Sequence, residues 1–521
     1  MATTAPVLNE SAPAAEYARL EERILARDQK RRQRRALPAH EAGPGRHRDH
    51  PRDRAHPRAV HARAVPPAAR TTASSGFVNN DHCLLSERVG LPLRSMIRPE
   101  LAWLPMAQTV WYMPTGLDPW NQLIGKAPGH YTRLYDIKVN ATPPMPERHW
   151  PDQAPVQVEG SLRERLNHWL TLVQRGEVLE SYRVFLGLMQ DVPNRRHVLA
   201  QLAFAGLIDV QDRMWHNRSY THRPQGVPGP RHHRARRRDR LGPGARRALC
   251  GVPDIAVGPR WYSSYEVGCN VTQNLLDGRD AELLRQDTPL TPAEEAMLVD
   301  VITRQREFSV IDAVVALLKA GRSARRILDA IQIAAAQVIL ETGEPNNYSM
   351  AQHGYEYCNT VGWFYDAFDH PHRLKLLFVA ALFINRGAEH QANTPGNGRR
   401  AIAPPQGSEG WSAREILDKL ERALLALRAD ESVDLTAAYL KGGHDRAPSS
   451  RCWRPRRARS ATIPHNQELG LCTLEDYLHT RAHDRDRLLL ASAQHTAGHR
   501  KYGDPLEAYR RFAEAMGLDD R

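Results

Sequence analysis

The stretch that decides the fold is residues 291–343, TPAEEAMLVDVITRQREFSVIDAVVALLKAGRSARRILDAIQIAAAQVILETG. Thr291 and Glu294 are spaced as a capping box around a proline at the first helical position, where the hydroxyl and the carboxylate can satisfy free N–H groups. Apolar residues then recur at helical spacing in three blocks, the second of which stops at Gly321 and the third before Gly343. The spacing therefore predicts three consecutive helices joined by short turns.

The same combination of caps and apolar stripes extends over most of the chain. Ser412 and Glu415 form a second capping box ahead of an apolar stripe. Strand signals are confined to short pieces such as Arg133–Val139, within a region rich in Trp and Pro. Three more amphipathic helices are expected at Leu162–Val173, Val178–Met189 and Asn194–Trp215. We therefore predict an all-α fold of stacked antiparallel helical hairpins, bundle-like or solenoid-like, with an irregular N-terminal region.

Three strongly basic segments interrupt this pattern at residues 30–70, 223–247 and 446–459. Together these 80 residues contain 27 basic and 4 acidic side chains, whereas the other 441 contain 45 basic and 55 acidic ones. The segments have few large apolar residues, so they cannot build a packed core. Their abrupt edges favour out-of-frame translation of a GC-rich gene, with nucleic-acid-binding basic arms and neutral linkers as the alternatives. The first two segments contain no Phe, Tyr or Trp side chain to stack on bases, which argues against nucleic-acid binding.

These features divide the chain into seven predicted regions. The regions are a disordered or mistranslated basic segment (1–79), an irregular Trp- and Pro-rich region (80–155), a helical region (156–222), an anomalous basic segment (223–250), a helical core domain (251–444), a second anomalous basic segment (445–462) and C-terminal helical hairpins (463–521).

The sequence carries few signals of a compartment or of a common catalytic family. The six cysteines are scattered without a C-x-x-C pair, and the N-terminal residues lack the apolar core of a secretory signal. The longest apolar stretches, around Ile327–Ile339 and Leu374–Ile384, are too short and too interrupted to cross a bilayer. We therefore expect a soluble protein of the cytoplasm. Signatures for phosphate loops, dinucleotide binding, serine hydrolysis and zinc proteases are missing, so those mechanisms lose support.

Near the C-terminus, residues 488–518 read LLLASAQHTAGHRKYGDPLEAYRRFAEAMGL. Small and aromatic residues stand near the positions used by a known helical repeat, namely Gly498, Tyr502, Ala508, Phe512 and Ala515. The stretch resembles one helix pair of the tetratricopeptide type, although it lacks the Trp and the Leu-Gly pair with which that repeat begins. The resemblance covers about 30 of 521 residues. It implies stacked antiparallel helices there and a concave surface for a protein partner.

The stretch richest in chemistry is residues 345–373, PNNYSMAQHGYEYCNTVGWFYDAFDHPHR. Tyr357 begins an apolar stripe at helical spacing, and His353 lies one turn earlier on that stripe, so its imidazole is expected to point inward. With Glu356 nearby, such a histidine is able to ligate a metal or move a proton, or else it is simply hydrogen-bonded in the core. Tyr357 and His370 are the candidate catalytic residues.

Other His and Glu residues extend this candidate to a metal site. Helical bundles hold paired iron or manganese with a Glu from each of two helices and a Glu-x-x-His from each of two more. Two pairs in this chain give the reversed order, H-x-x-E, whose members still share a helix face. The candidate metal ligands are His353, Glu356, Glu389, His390, His465 and Glu468.

The favoured function is therefore a helical enzyme, a metal-dependent oxidoreductase or oxygenase with iron or manganese. A non-catalytic helical scaffold for another protein is the alternative, and nucleic-acid binding through the basic arms is a third hypothesis. The histidine-rich tail is predicted to be a solvated face, with a divalent-ion site as the other interpretation. Its members are His479, His483, His495 and His499.

Overall fold

The computed structural model describes residues 154–208, 252, 263–343, 349–445 and 464–498. About 74% of this part of the chain is helical. The α-helices it contains are α1 Leu162–Arg175, α2 Val178–Gln190, α3 Arg195–Ile208, α4 Ser263–Asn274, α5 Asp280–Leu283, α6 Pro292–Arg304, α7 Glu307–Lys319, α8 Ala324–Leu340, α9 Ser349–Ala367, α10 Arg373–Ala392, α11 Ala413–Leu425, α12 Ala429–Lys441, α13 Pro464–His479 and α14 Asp486–Gly498. Short 3-10 turns lie at Val192–Asn194 and Ser408–Gly410.

The helix ends follow from local chemistry. Both predicted capping boxes form: the Thr291 hydroxyl accepts a hydrogen bond from the backbone of Glu294, and Ser412 does the same for Glu415. Gly321 follows α7 with a φ of 80°, a left-handed conformation that glycine adopts without the steric cost of a Cβ. Residues 291–343 therefore form three consecutive helices, as their spacing predicts.

The centre of the molecule is formed by α8 and α10. Both helices are buried on almost every side, which is the pattern of a core helix rather than a surface helix. α10 packs against α4, α6, α7, α8 and α9, and α8 also packs against α14. One large apolar cluster joins these helices to α3 and α13. Smaller clusters lie between α1, α2 and α3, and between α11, α12 and α14.

Buried carboxylates tie the α13–α14 turn to this core. The Glu295 carboxylate on α6 accepts hydrogen bonds from the backbone N–H groups of His483 and Asp484, both at 2.8 Å. Asp329 on α8 accepts one from the backbone N–H of Arg481 at 3.1 Å. Since a carboxylate hydrogen-bonded to backbone N–H groups makes a strong contact, the turn is fixed on the body at both α6 and α8.

The all-α prediction is confirmed. Within the described ranges no strand forms. The backbone pairs there in a β-type manner at an isolated bridge between Thr288 and Arg322. Among the described helices, none combines the length and the apolarity that a bilayer crossing needs. The stacking of hairpins and the seven-region division stay predictions. The basic segments 30–70, 223–247 and 446–459 lie outside the described residues, as does the tetratricopeptide-like stretch after Gly498.

Candidate functional site

The helix that carries the predicted site, α9, is enclosed by other helices. It packs against α8, α10 and α13. Gly354 lies where α9 meets α10, and a Cβ atom at this position would come within 2.8 Å of Ile384 Cδ1. The missing side chain therefore permits a close approach of the two helices. His353 and Glu356 are buried by this packing, with 4% and 0% exposure. The predicted inward orientation of His353 is confirmed.

Two more helices bring buried polar groups to α9. Glu468 on α13 and His495 on α14 are fully buried, and His495 Nε2 lies 3.2 Å from Gln352 Oε1 on α9. The hydroxyls of Thr473 and Ser492 lie 3.3 Å apart, which fixes the register of α13 against α14. In this antiparallel pair Glu468 and His495 therefore lie at similar heights along the helix axes. We call Gln352, His353, Glu356, Glu468 and His495 the buried polar layer.

The buried polar layer is unusual because it contains four ionisable side chains. Two glutamates and two histidines lie in a region from which water is excluded, between helices whose other buried side chains are largely apolar. An ionised carboxylate in such surroundings costs several kcal/mol unless a partner or a proton neutralises it. Imidazole changes its charge near neutral pH, so it is a suitable partner for sharing that proton. The layer has the groups needed to hold or move a proton.

A second polar group of residues lies one turn further along α9. Asn359 Nδ2 donates a hydrogen bond to Asp476 Oδ1 on α13 at 2.9 Å. The Tyr355 hydroxyl is buried beside the same carboxyl, and Gln332 Nε2 on α8 donates to the Tyr355 carbonyl at 3.3 Å. Burial, opposed by the Asn359 hydrogen bond, raises the pKa of Asp476 to about 7. This carboxyl is therefore poised to exchange a proton near neutral pH.

Tyr357, one of the two candidate catalytic residues, faces α3. Its hydroxyl donates a hydrogen bond to the Leu207 carbonyl at 2.9 Å, and its ring packs against Phe383 with centroids 4.8 Å apart. Burial raises the pKa of the Tyr357 hydroxyl well above its usual range. The side chain thus holds α9 to α3, and a catalytic role for it stays a prediction.

His370, the other candidate, occupies the turn between α9 and α10. Its ring stacks on Phe204 at 4.3 Å, and its Nε2 lies 3.0 Å from Gln201 Oε1. The backbone N–H of His372 donates to Nδ1 at 3.3 Å, which assigns the ring proton to Nε2. Burial, with the positive charges of His372 and Arg373 nearby, lowers the pKa of His370 to about 3. The imidazole is therefore neutral at physiological pH, and its catalytic role also stays a prediction.

The other candidate metal ligands are not gathered in one place. Glu389 and His390 are exposed at the C-terminal end of α10, whereas the residues of the buried polar layer are enclosed. His465 belongs to the first turn of α13, and its side chain is outside the described part of the molecule. No group of three or more His, Cys, Asp or Glu side chains among the described residues is arranged to hold a metal ion. The iron or manganese site stays a prediction.

The sequence pattern missed several members of the site. His495 was expected on a solvated face but is fully buried, because α14 packs between α8 and α12; that expectation is wrong. His479 and His483 are exposed as expected. A signal for the burial of α14 does exist in its sequence, since Ala and Ser occupy several of its faces and permit close packing all round. Asp476 and Tyr355 carry no comparable signal, because their proximity depends on how α9 and α13 pack.

Comparison of the chain with models of known protein families, with curated proteins and with solved structures gives no match.

Proposed function

We propose that this protein is an enzyme whose reaction centre is the buried polar layer between α9, α13 and α14. The observation that carries the proposal is the burial of two glutamates, Glu356 and Glu468, together with two histidines, His353 and His495, in a helical core. Ionisable groups kept in such surroundings are concentrated at catalytic sites, where burial adjusts their proton affinity to a task. The partly buried Asp476 carboxyl, one turn away, adds a further group that exchanges a proton near neutral pH.

The chemistry that these groups offer is proton transfer between carboxylate and imidazole. Histidine and glutamate are side chains often used for general acid–base catalysis. The more specific form of the proposal is a metal-dependent oxidoreductase or oxygenase with iron or manganese. It requires ligands beyond the two buried glutamates, and His465, three residues before Glu468, is the candidate that the sequence supplies.

The proposal is tested first by stability, since no substrate is needed for that measurement. Catalytic groups are retained for function at a cost in stability, so Glu356→Gln and Glu468→Gln should leave the free energy of unfolding unchanged or raise it. Glu295→Gln is the matched control: that buried glutamate accepts two backbone hydrogen bonds, and the variant should lose about 1.5–3 kcal/mol. Urea unfolding monitored by circular dichroism gives all three values.

A large loss of stability in the two Glu→Gln variants would contradict the proposal. If the Glu356 and Glu468 variants each lose about 3–5 kcal/mol, the layer is a structural ion-pair network. That outcome overturns the enzyme proposal and favours the helical scaffold predicted as the alternative.

The metal-dependent form has its own test. The full chain is produced in medium containing iron and manganese, and its metal content is measured by elemental analysis. Stoichiometric metal that is lost in Glu356→Gln and retained in Glu389→Gln would support it, because Glu389 is exposed to solvent whereas Glu356 is fully buried. Metal-free protein, or equal metal content in both variants, would contradict it.

A further inference from the structure

The helix α13 is joined to α9 by a polar contact at the Asp476 carboxyl. It packs against α9 and α14, and it carries Glu468 of the buried polar layer on its N-terminal half. One polar link between α13 and α9 runs through Asn359, whose Nδ2 donates to Asp476 Oδ1 at 2.9 Å and lies 3.5 Å from the Cys472 carbonyl. The state of the Asp476 carboxyl therefore bears directly on how firmly α13 is docked.

The surroundings of Asp476 favour the neutral carboxyl. Its Oδ2 atom and the Tyr355 hydroxyl are both inaccessible to water, and neither makes a hydrogen bond of good geometry to any described residue. A negative charge on this carboxyl would thus be desolvated, and burial outweighs the stabilisation that Asn359 and the neighbouring Tyr355 hydroxyl supply. Asp486 on α14 accepts a hydrogen bond from Tyr477, on the next turn of α13. The titratable and charged groups around the Asp476 carboxyl are Tyr355 and Cys358 on α9, Arg325 on α8, Cys472 and Glu475 on α13, and Asp486 on α14.

The guanidinium of Arg325 is bound mainly by other carboxylates. Its guanidinium is engaged by Asp366, through Nε at 2.9 Å and Nη2 at 3.1 Å, and by Asp329 at 2.6 Å. Glu475, next to Asp476 on α13, adds a negative charge that opposes ionisation. Tyr355 and Cys358 both keep their protons, since burial raises the pKa of each well above its usual range.

We propose that α13 is a pH-operated cover of the buried polar layer, docked on α9 while the Asp476 carboxyl keeps its proton and loosened when the proton leaves. The helix packs against α9, which carries His353 and Glu356, and it carries the buried Glu468 itself. Loosening α13 therefore gives water or a ligand access to groups that are otherwise enclosed. The role of this opening in giving access to the buried polar layer rests on the proposed function. The pH-dependent docking of α13 does not.

The direction of the pH effect follows from linkage. Burial raises the pKa of Asp476 to about 7 in the docked state, and in the exposed chain an aspartate titrates near pH 4. The docked state binds the proton more tightly, so its stability falls as the pH rises from about 4 to 7 and levels off above that range. Between pH 6 and pH 8 the opening constant of α13 should rise roughly 10-fold.

Hydrogen exchange of the full chain, read by mass spectrometry from pH 5 to pH 8, tests this. Rates are divided by the intrinsic chemical exchange rate at each pH. Opening of α13 in the natural protein should increase roughly 10-fold from pH 6 to pH 8, while the amides of α10 keep their protection. Asp476→Asn retains the acceptor for Asn359 but cannot ionise, so its α13 should stay protected at every pH. Asp366→Asn is the matched control, because it removes a half-exposed carboxylate from the same arginine and should keep the natural pH dependence.

The outcomes separate the two proposals. The cover proposal is wrong if the opening of α13 in the natural protein does not depend on pH. It is also wrong if the Asp476→Asn variant shows the same pH dependence as the natural protein. If α13 opens as expected while Glu356→Gln and Glu468→Gln both destabilise the protein, the cover stands and the enzyme proposal fails. A change of equal size in α10 would assign the effect to global unfolding and would also overturn the cover.

Discussion

His370 illustrates how a single buried side chain can make the whole molecule sensitive to acid. Its pKa is lowered to about 3 by burial, so folding favours the neutral imidazole. Stability from this group is complete above pH 6.5, the value of an exposed histidine, and is lost as the pH falls from 6.5 toward 3. We expect the unfolding free energy of the natural protein to fall by up to about 1.4 kcal/mol per pH unit in that window, relative to His370→Gln. Urea unfolding at pH 7, 5.5 and 4.5 measures the difference, and a difference that is constant with pH would contradict the prediction.

At the same scale, the sequence predicts some site residues and hides others for a physical reason. His353 was found because helical periodicity places it on an apolar stripe, and periodicity is a property of one helix. His495 and Asp476 became site residues through contacts with α9, which lies more than 100 residues earlier in the chain. Such contacts depend on the packing of distant helices. Spacing within one helix therefore cannot reveal them.

The helices themselves depend on how closely they can approach, and α4 meets α10 at Gly268. A Cβ atom at Gly268 would lie 2.9 Å from the backbone oxygen of Lys375, too close for two helices that cannot bend locally. We expect Gly268→Ala to cost about 1–3 kcal/mol through overpacking, despite the better helix propensity of alanine. Gly387→Ala is the matched control on α10, because nothing lies within 4 Å of its Cβ position. This control should stabilise by up to about 1 kcal/mol. Thermal unfolding compares the pair, and a loss of the same size in both would contradict the explanation.

Element boundaries were the most predictable part of the fold, because caps are local. Thr291, Ser412 and Gly321 each end or begin a helix through atoms within four residues of themselves. A third capping box, Ser161 with Glu164, follows the same rule at the start of α1. The partners of each helix were not predictable in this way. α8 and α10 are buried on nearly all sides, so their sequences have no polar face that would indicate which neighbours they contact.

For the whole molecule, the distribution of apolar side chains separates the folded body from the basic segments. Residues 30–70 contain Leu37, Val60 and Val65 as their only large apolar side chains, so they can bury little area on folding. We therefore expect deletion of residues 30–70 to leave the melting temperature of the remaining chain nearly unchanged.

The control for this deletion lies in the folded body. Trp169 is fully buried between α1 and α2, and its indole N–H donates a hydrogen bond to the Ser181 carbonyl at 3.0 Å. Trp169→Ala should therefore lose about 3–5 kcal/mol, a drop that calorimetry detects easily. If the deletion lowers the melting temperature as much as Trp169→Ala does, residues 30–70 pack against the helical body. In that case few apolar contacts are available to the segment, so its 12 basic side chains must make the contacts, and the loss should shrink as salt is added.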